Sequence, residues 1–261
     1  MSSASSSEKV PVKKTGQVGW NPWAGVILTI ALFIFAQFAA TLIVIMIPQV
    51  LGWSSSEAKA WLNNSVASKV ILISLTTTFL LAPLYFYLKR YKGGFKSIGL
   101  RRPNWTDPLY SLAAVPVYIF FFAVVLLIVT RFVPDLDVNQ AQDLGFNDTY
   151  NPLQLFFIAI ALVVLPPISE EIIFRGMLYS SMKKGMPIIW AAIFTSLLFA
   201  SGHLLESGDS SLLYIAGIDT FVLSLVLIYL REKTGGLWAS IGLHAIKNGI
   251  AFVSLFLLHA R

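Results

Sequence analysis

Apolar residues run along this chain in long unbroken blocks, not in the two-residue or 3.6-residue rhythm of half-buried strands and helices. A bilayer core about 30 Å thick is crossed by roughly 20 consecutive apolar residues in a helix. Seven stretches qualify, near residues 23–50, 66–88, 109–131, 152–182, 187–205, 211–230 and 235–258. The pattern predicts an all-α fold: a polytopic transmembrane helix bundle of about seven to eight spans. The polar, Ser- and Lys-rich segment 1–19 reads as a disordered cytoplasmic N-terminus. Residues 20–258 then form one membrane-embedded domain. The first apolar stretch is too long for the roughly 7–15-residue core of a signal peptide and lacks a small-residue cleavage site, so it is expected to stay as a helix.

Composition agrees with that pattern. The chain of 261 residues is 56% hydrophobic and 12% charged, against about 25% charged in a soluble domain. There are no cysteines, which excludes a disulfide framework, a thiolate nucleophile and thiolate metal ligands. The net charge of +6 is sorted by loop and does not form a nucleic-acid patch. One alternating set of loops holds Lys9, Lys13, Lys14, Lys89, Arg90, Lys92, Lys96, Arg101, Arg102, Lys183, Lys184, Arg231 and Lys233. The other holds only Lys59, Lys69, Arg131 and Arg261, together with Glu57, Asp135, Asp137, Asp143, Asp148, Glu206 and Asp209. The excess of basic residues on one side places the N-terminus in the cytoplasm and the C-terminus outside. Trp20, Trp23, Trp53, Trp61, Trp105, Trp190 and Trp238 fall near span ends, as an aromatic belt would place them. The basic loop 89–107 is expected on the headgroups as a topology anchor or a docking surface for anionic lipid or substrate.

The chemistry sits where the hydrophobic pattern is broken. Glu170, Glu171 and Arg175 lie within one apolar segment, and a charged residue in a span costs about 2.5–3.5 kcal/mol on insertion scales. Three within six residues mark a functional site. Pro166 and Pro167 precede them and predict a kink or break that frees backbone carbonyls. Glu171 and Arg175 are four apart and share a helix face, so they can form an ion pair. Such a pair can equally be structural or line a transport path. Glu170 points about 100° away and must find its partner on another helix. His203, at the end of the next apolar run, is the candidate. A carboxylate and an imidazole together could take a proton from water and return it to a leaving amine.

Depth along the helices is an obstacle to that pairing. With the fifth span starting near residue 187, His203 stands ~24 Å along it, whereas Glu170 stands ~18 Å from the end of its own span. His244 and Asn248 are also four apart and could converge as two hydrogen-bond donors on an oxyanion. Asp219 could neutralise Lys247, a pairing read as structural. Gly235–Gly236 is expected to start the last helix, not to bind phosphate. No P-loop, dinucleotide fingerprint or HExxH is present.

The order EExxxR (Glu170, Glu171, Arg175), FxxxH (Phe199, His203) and HxxxN (His244, Asn248) on separate spans resembles the type II CAAX prenyl endopeptidases. These belong to the CAAX protease and bacteriocin-processing, or abortive-infection, family. TGGLWASIGLHAIKN and FKSIGLRRP extend the resemblance over about residues 90–256, with the motifs within 166–256. It implies an intramembrane endopeptidase of about eight spans, in a prokaryotic plasma membrane, in which Glu170 and His203 activate water. His244 and Asn248 form the oxyanion site, and Glu171 and Arg175 support Glu170. The implied partners are the lipid bilayer and a membrane-associated peptide or protein substrate, prenylated or not. No cofactor is implied; were zinc bound, Glu170, His203 and His244 would be its ligands. Two other classes compete: a non-catalytic membrane immunity or scaffold protein, and a proton-coupled transporter. The complete set of six residues argues against the first, and the lack of a visible inverted repeat argues against the second.

Overall fold

Helix α1 (Pro22–Val50) begins where Asn21 accepts hydrogen bonds from the backbone N–H groups of Trp23 and Ala24, with Pro22 in the first turn. The computed structural model describes residues 19–91, 93–140, 146, 150–204 and 212–258. Seven further helices follow among these residues: α2 (Ser55–Asn64), α3 (Val66–Lys89), α4 (Asp107–Phe132), α5 (Pro152–Gly185), α6 (Ile188–His203), α7 (Tyr214–Thr234) and α8 (Trp238–Leu257). No strand occurs among them. The expected N-terminal segment 1–19 lies outside the described residues except for Gly19. The acidic loop 132–151 lies partly outside them.

Six helices (α1, α3, α4, α5, α7 and α8) are long and apolar enough to cross a membrane. The stretch read as a fifth span is shorter than expected. Helix α6 has 16 residues, ~24 Å at 1.5 Å per residue, and falls short of a ~30 Å core. It ends at Ser201–Gly202–His203, where two poor helix formers meet the histidine. Helix α2 was not anticipated. Its capping box, in which Ser54 and Glu57 bond each other's backbone, was visible as Ser-x-x-Glu. The Ser54 side chain and backbone donate to the Glu57 carboxylate and hold its pKa below the ordinary value.

Helix α5 runs through the centre of the bundle, against α1, α3, α6 and α8. It neither breaks nor ends at Pro166–Pro167. Two π-helical stretches, Ile160–Val164 and Glu171–Leu178, flank the prolines and absorb the lost hydrogen bonds within one continuous 34-residue helix. Every residue from Glu171 to Leu178 is buried. Gly25 lets α1 approach closely, because a Cβ there would collide with Ser181 of α5. At that contact Trp20 is buried and its indole N–H donates to Ser181 Oγ at 3.0 Å. Trp20 is therefore an α1–α5 packing residue and not part of an interfacial belt; Trp23, Trp105 and Trp190 are exposed.

The basic loop is also more deeply engaged than a headgroup anchor. Gly94–Ile98 forms a 3₁₀ turn that buries Ile98. The Gly99 carbonyl accepts from Leu237 N–H at 3.1 Å, and the Arg101 carbonyl accepts from the Trp238 indole at 2.7 Å. The Arg101 guanidinium forks onto Asp107 at 2.9 and 2.6 Å, a bidentate geometry that fixes the start of α4 beside the start of α8. Gly235, with φ of 66°, ends α7 as its C-cap and does not start the last helix, which begins at Trp238.

Candidate active site

The prolines of α5 build the first part of the site. The Leu162 carbonyl would take an N–H from residue 166 in an α-helix or from residue 167 in a π-helix, and both are proline. Asn248 of α8 fills the gap, its Nδ2 donating to Leu162 O at 2.9 Å. The strained turn thus pins α8 to α5 beside the glutamates. One amide hydrogen of Asn248 is committed to this bond, leaving one for a ligand.

Glu171 and Arg175 form the ion pair their spacing predicts, Nη1 to Oε1 at 2.8 Å, with both side chains fully buried. The same Oε1 lies 3.0 Å from His244 Nδ1. A carboxylate oxygen accepts, so Nδ1 carries the hydrogen. That fixes the imidazole and turns Nε2 toward Glu170, whose Oε2 is 3.8 Å away. The Arg175 guanidinium also lies over the Phe199 ring, 4.2 Å from its centroid. Phe199 packs edge-on between His203 and His244, at centroid separations of 4.8 and 6.0 Å.

His203 is oriented by its own helix. Its Nδ1 lies 3.1 Å from the Phe199 carbonyl, which can only accept. The hydrogen therefore sits on Nδ1 and the lone pair on Nε2. The apparent mismatch of depth disappears because α5 extends to Gly185 and α6 starts at Ile188. Counted from the short turn between them, Glu170 and His203 are each fifteen residues away, ~22 Å along their helices.

Glu170, His203, His244 and Asn248 all line one cavity of about 370 Å³. The structure thus brings together the candidates that face open space. Glu171 and Arg175 stand behind them, packed out of reach. Lys247 also lines the cavity and pairs with Asp219 at 3.0 Å, as the sequence suggested. Tyr118 of α4 donates to the other Asp219 oxygen, completing a link across α4, α7 and α8. Sequence reasoning missed Tyr118, Gln37, Thr76 and Thr77. The last three were legible as polar residues in the middle of apolar spans.

Among the described residues no group of three or more His, Asp or Glu side chains is placed to hold a metal ion. The Nδ1 of His244 lies against Glu171 and that of His203 against a backbone carbonyl.

Comparison with known proteins agrees with the motif reading. Residues 152–250, from the start of α5 into α8, match the family model described as Rce1-like, type II CAAX prenyl endopeptidase Rce1-like. No curated protein and no solved structure matches the chain. Over this stretch the chain is similar to that family, and six of its helices are long and apolar enough to cross a membrane.

Proposed function

We propose that this chain is an intramembrane endopeptidase that hydrolyses a peptide bond near the C-terminus of a membrane-associated substrate, of CAAX or bacteriocin-related type, using a water activated by Glu170 and His203. One observation carries the reading: Glu170 from α5, His203 from α6, and His244 and Asn248 from α8 line a single cavity although each is costly in lipid.

Glu170 removes a proton from the water as its oxygen attacks the scissile carbonyl carbon. The His203 Nε2 lone pair accepts the second water hydrogen and orients the attack. The oxyanion forms beside α8. There the free amide hydrogen of Asn248 donates to it, and so does His244 Nε2 when protonated; Glu171, bonded to Nδ1, stabilises that imidazolium. Glu170 then delivers its proton to the departing amine as the C–N bond breaks. Glu171 and Arg175 touch no reacting atom and act by holding His244. The N-terminus faces the cytoplasm, by the distribution of basic loops. No step is routed through a metal.

The test uses the full chain in detergent, with C-terminal peptides, prenylated and unprenylated, with and without chelator. We expect cleavage near the C-terminus, insensitive to chelator and abolished in Glu170→Gln. Absence of cleavage across the panel, or equal activity in Glu170→Gln, rejects the reading. Loss on chelation with recovery on zinc would transfer water activation to a metal.

A further inference from the structure

The spanning helices carry hydroxyl side chains of two kinds. Thr29, Ser111, Thr130, Thr220 and Thr234 each turn the hydroxyl back onto the carbonyl four residues earlier, at 2.6–3.0 Å. Thr78 of α3 does the same at 2.8 Å. This is the ordinary way a hydroxyl is satisfied inside a membrane helix. Its neighbours Thr76 and Thr77 make no such bond among the described residues. Nor does the carboxamide of Gln37, in the middle of α1, bond to anything described.

All three line the cavity that holds Glu170 and His203. They come from α1 and α3, which lie outside the stretch matching the protease family. Both helices span the membrane, and the three positions fall near their midpoints, where an unsatisfied amide or hydroxyl is least tolerable. Polar groups held there without an internal partner stabilise nothing in the protein alone. They suit a ligand that brings its own donors and acceptors to the membrane centre.

An extended peptide is such a ligand. Its main-chain N–H and C=O groups must all find partners once out of water. Gln37 offers two donors and an acceptor in the geometry of a peptide amide, and each threonine offers one donor and two acceptor sites. Apolar Phe33, Leu72 and Leu80 beside them leave room for substrate side chains. We propose that Gln37, Thr76 and Thr77 bind the main chain of the scissile segment and hold it extended against Glu170, an inference that rests on the endopeptidase reading.

The experiment compares the full chain with Gln37→Leu, Thr76→Val, Thr77→Val and the triple variant. The readouts are kcat, KM and thermal stability in detergent on the best peptide substrate, and on versions N-methylated at one backbone amide at a time. Each single change should raise KM roughly 2–10-fold and the triple roughly 30-fold or more, with kcat nearly unchanged, because the lost bonds are uniform binding. Stability should hold or rise, since each change removes an unsatisfied polar group from the membrane core. At one or two positions N-methylation should weaken the wild type and leave the triple variant unaffected. A triple variant with wild-type KM overturns the inference, and so does one that loses stability while its losses add to those of N-methylation. A wild type that cleaves no peptide rejects the endopeptidase reading itself.

Discussion

Glu170 and Glu171 are adjacent in sequence and opposite in circumstance. Glu171 has no exposed surface and shares one oxygen between Arg175 and His244. Glu170 keeps 22% of its side chain accessible and faces a cavity. The roughly 100° between neighbouring helix positions sends one carboxylate into the packed interior and the other toward open space. The buried member is confined by charge: an ion pair sealed in the protein gives little net stability, but removing one partner is severe. The accessible member can meet water and change its protonation. In the proposed mechanism this one doublet supplies both an orienting group and a reactive one.

The largest effect should come from the accessible side. Glu170→Gln keeps shape and hydrogen bonding but cannot take a proton, so activity should fall roughly 10²–10⁴-fold with folded yield unchanged. His203→Ala should lose a similar amount, and the double variant should be little worse than either single, because residues acting as one unit are non-additive. Additive losses in the measured kcat/KM would separate the two residues.

Arg175→Ala probes the buried side. Leaving the Glu171 carboxylate without its cation should cost roughly 3–5 kcal/mol, read as reduced yield and a lower thermal midpoint before any assay. Full stability of that variant would erase the contrast between the two glutamates.

Asn248 straddles both regions. Asn248→Ala should lower kcat roughly 10²–10³-fold through the missing oxyanion donor. It should also destabilise the fold by about 1–3 kcal/mol, because the Leu162 carbonyl loses its only described donor. A kinetic loss with no change in thermal midpoint would mean that the proline gap in α5 is closed some other way.

The smallest effect belongs to the link away from the glutamates. Tyr118→Phe removes one hydrogen bond to Asp219 and should cost about 0.5–1.5 kcal/mol of stability, with kcat unchanged. A kcat loss there would bring Asp219 and Lys247 into the chemistry.

The all-α membrane architecture was determined by the sequence alone, because a helix is the only open segment that satisfies its own backbone in lipid and needs no distant partner to be recognised. The Glu171–Arg175 pair was equally local, an i,i+4 spacing on one helix. Three outcomes were decided by tertiary structure. The prolines of α5 leave a carbonyl that only α8 can satisfy, so a residue read as an oxyanion donor is also a structural bolt. The imidazole of His244 is turned by Glu171, seventy-three residues away in the chain. His203 comes level with Glu170 because α5 runs on to Gly185 and α6 is too short to cross. Each depends on where helices end and how they pack, which are long-range balances of burial and backbone satisfaction that no local spacing records.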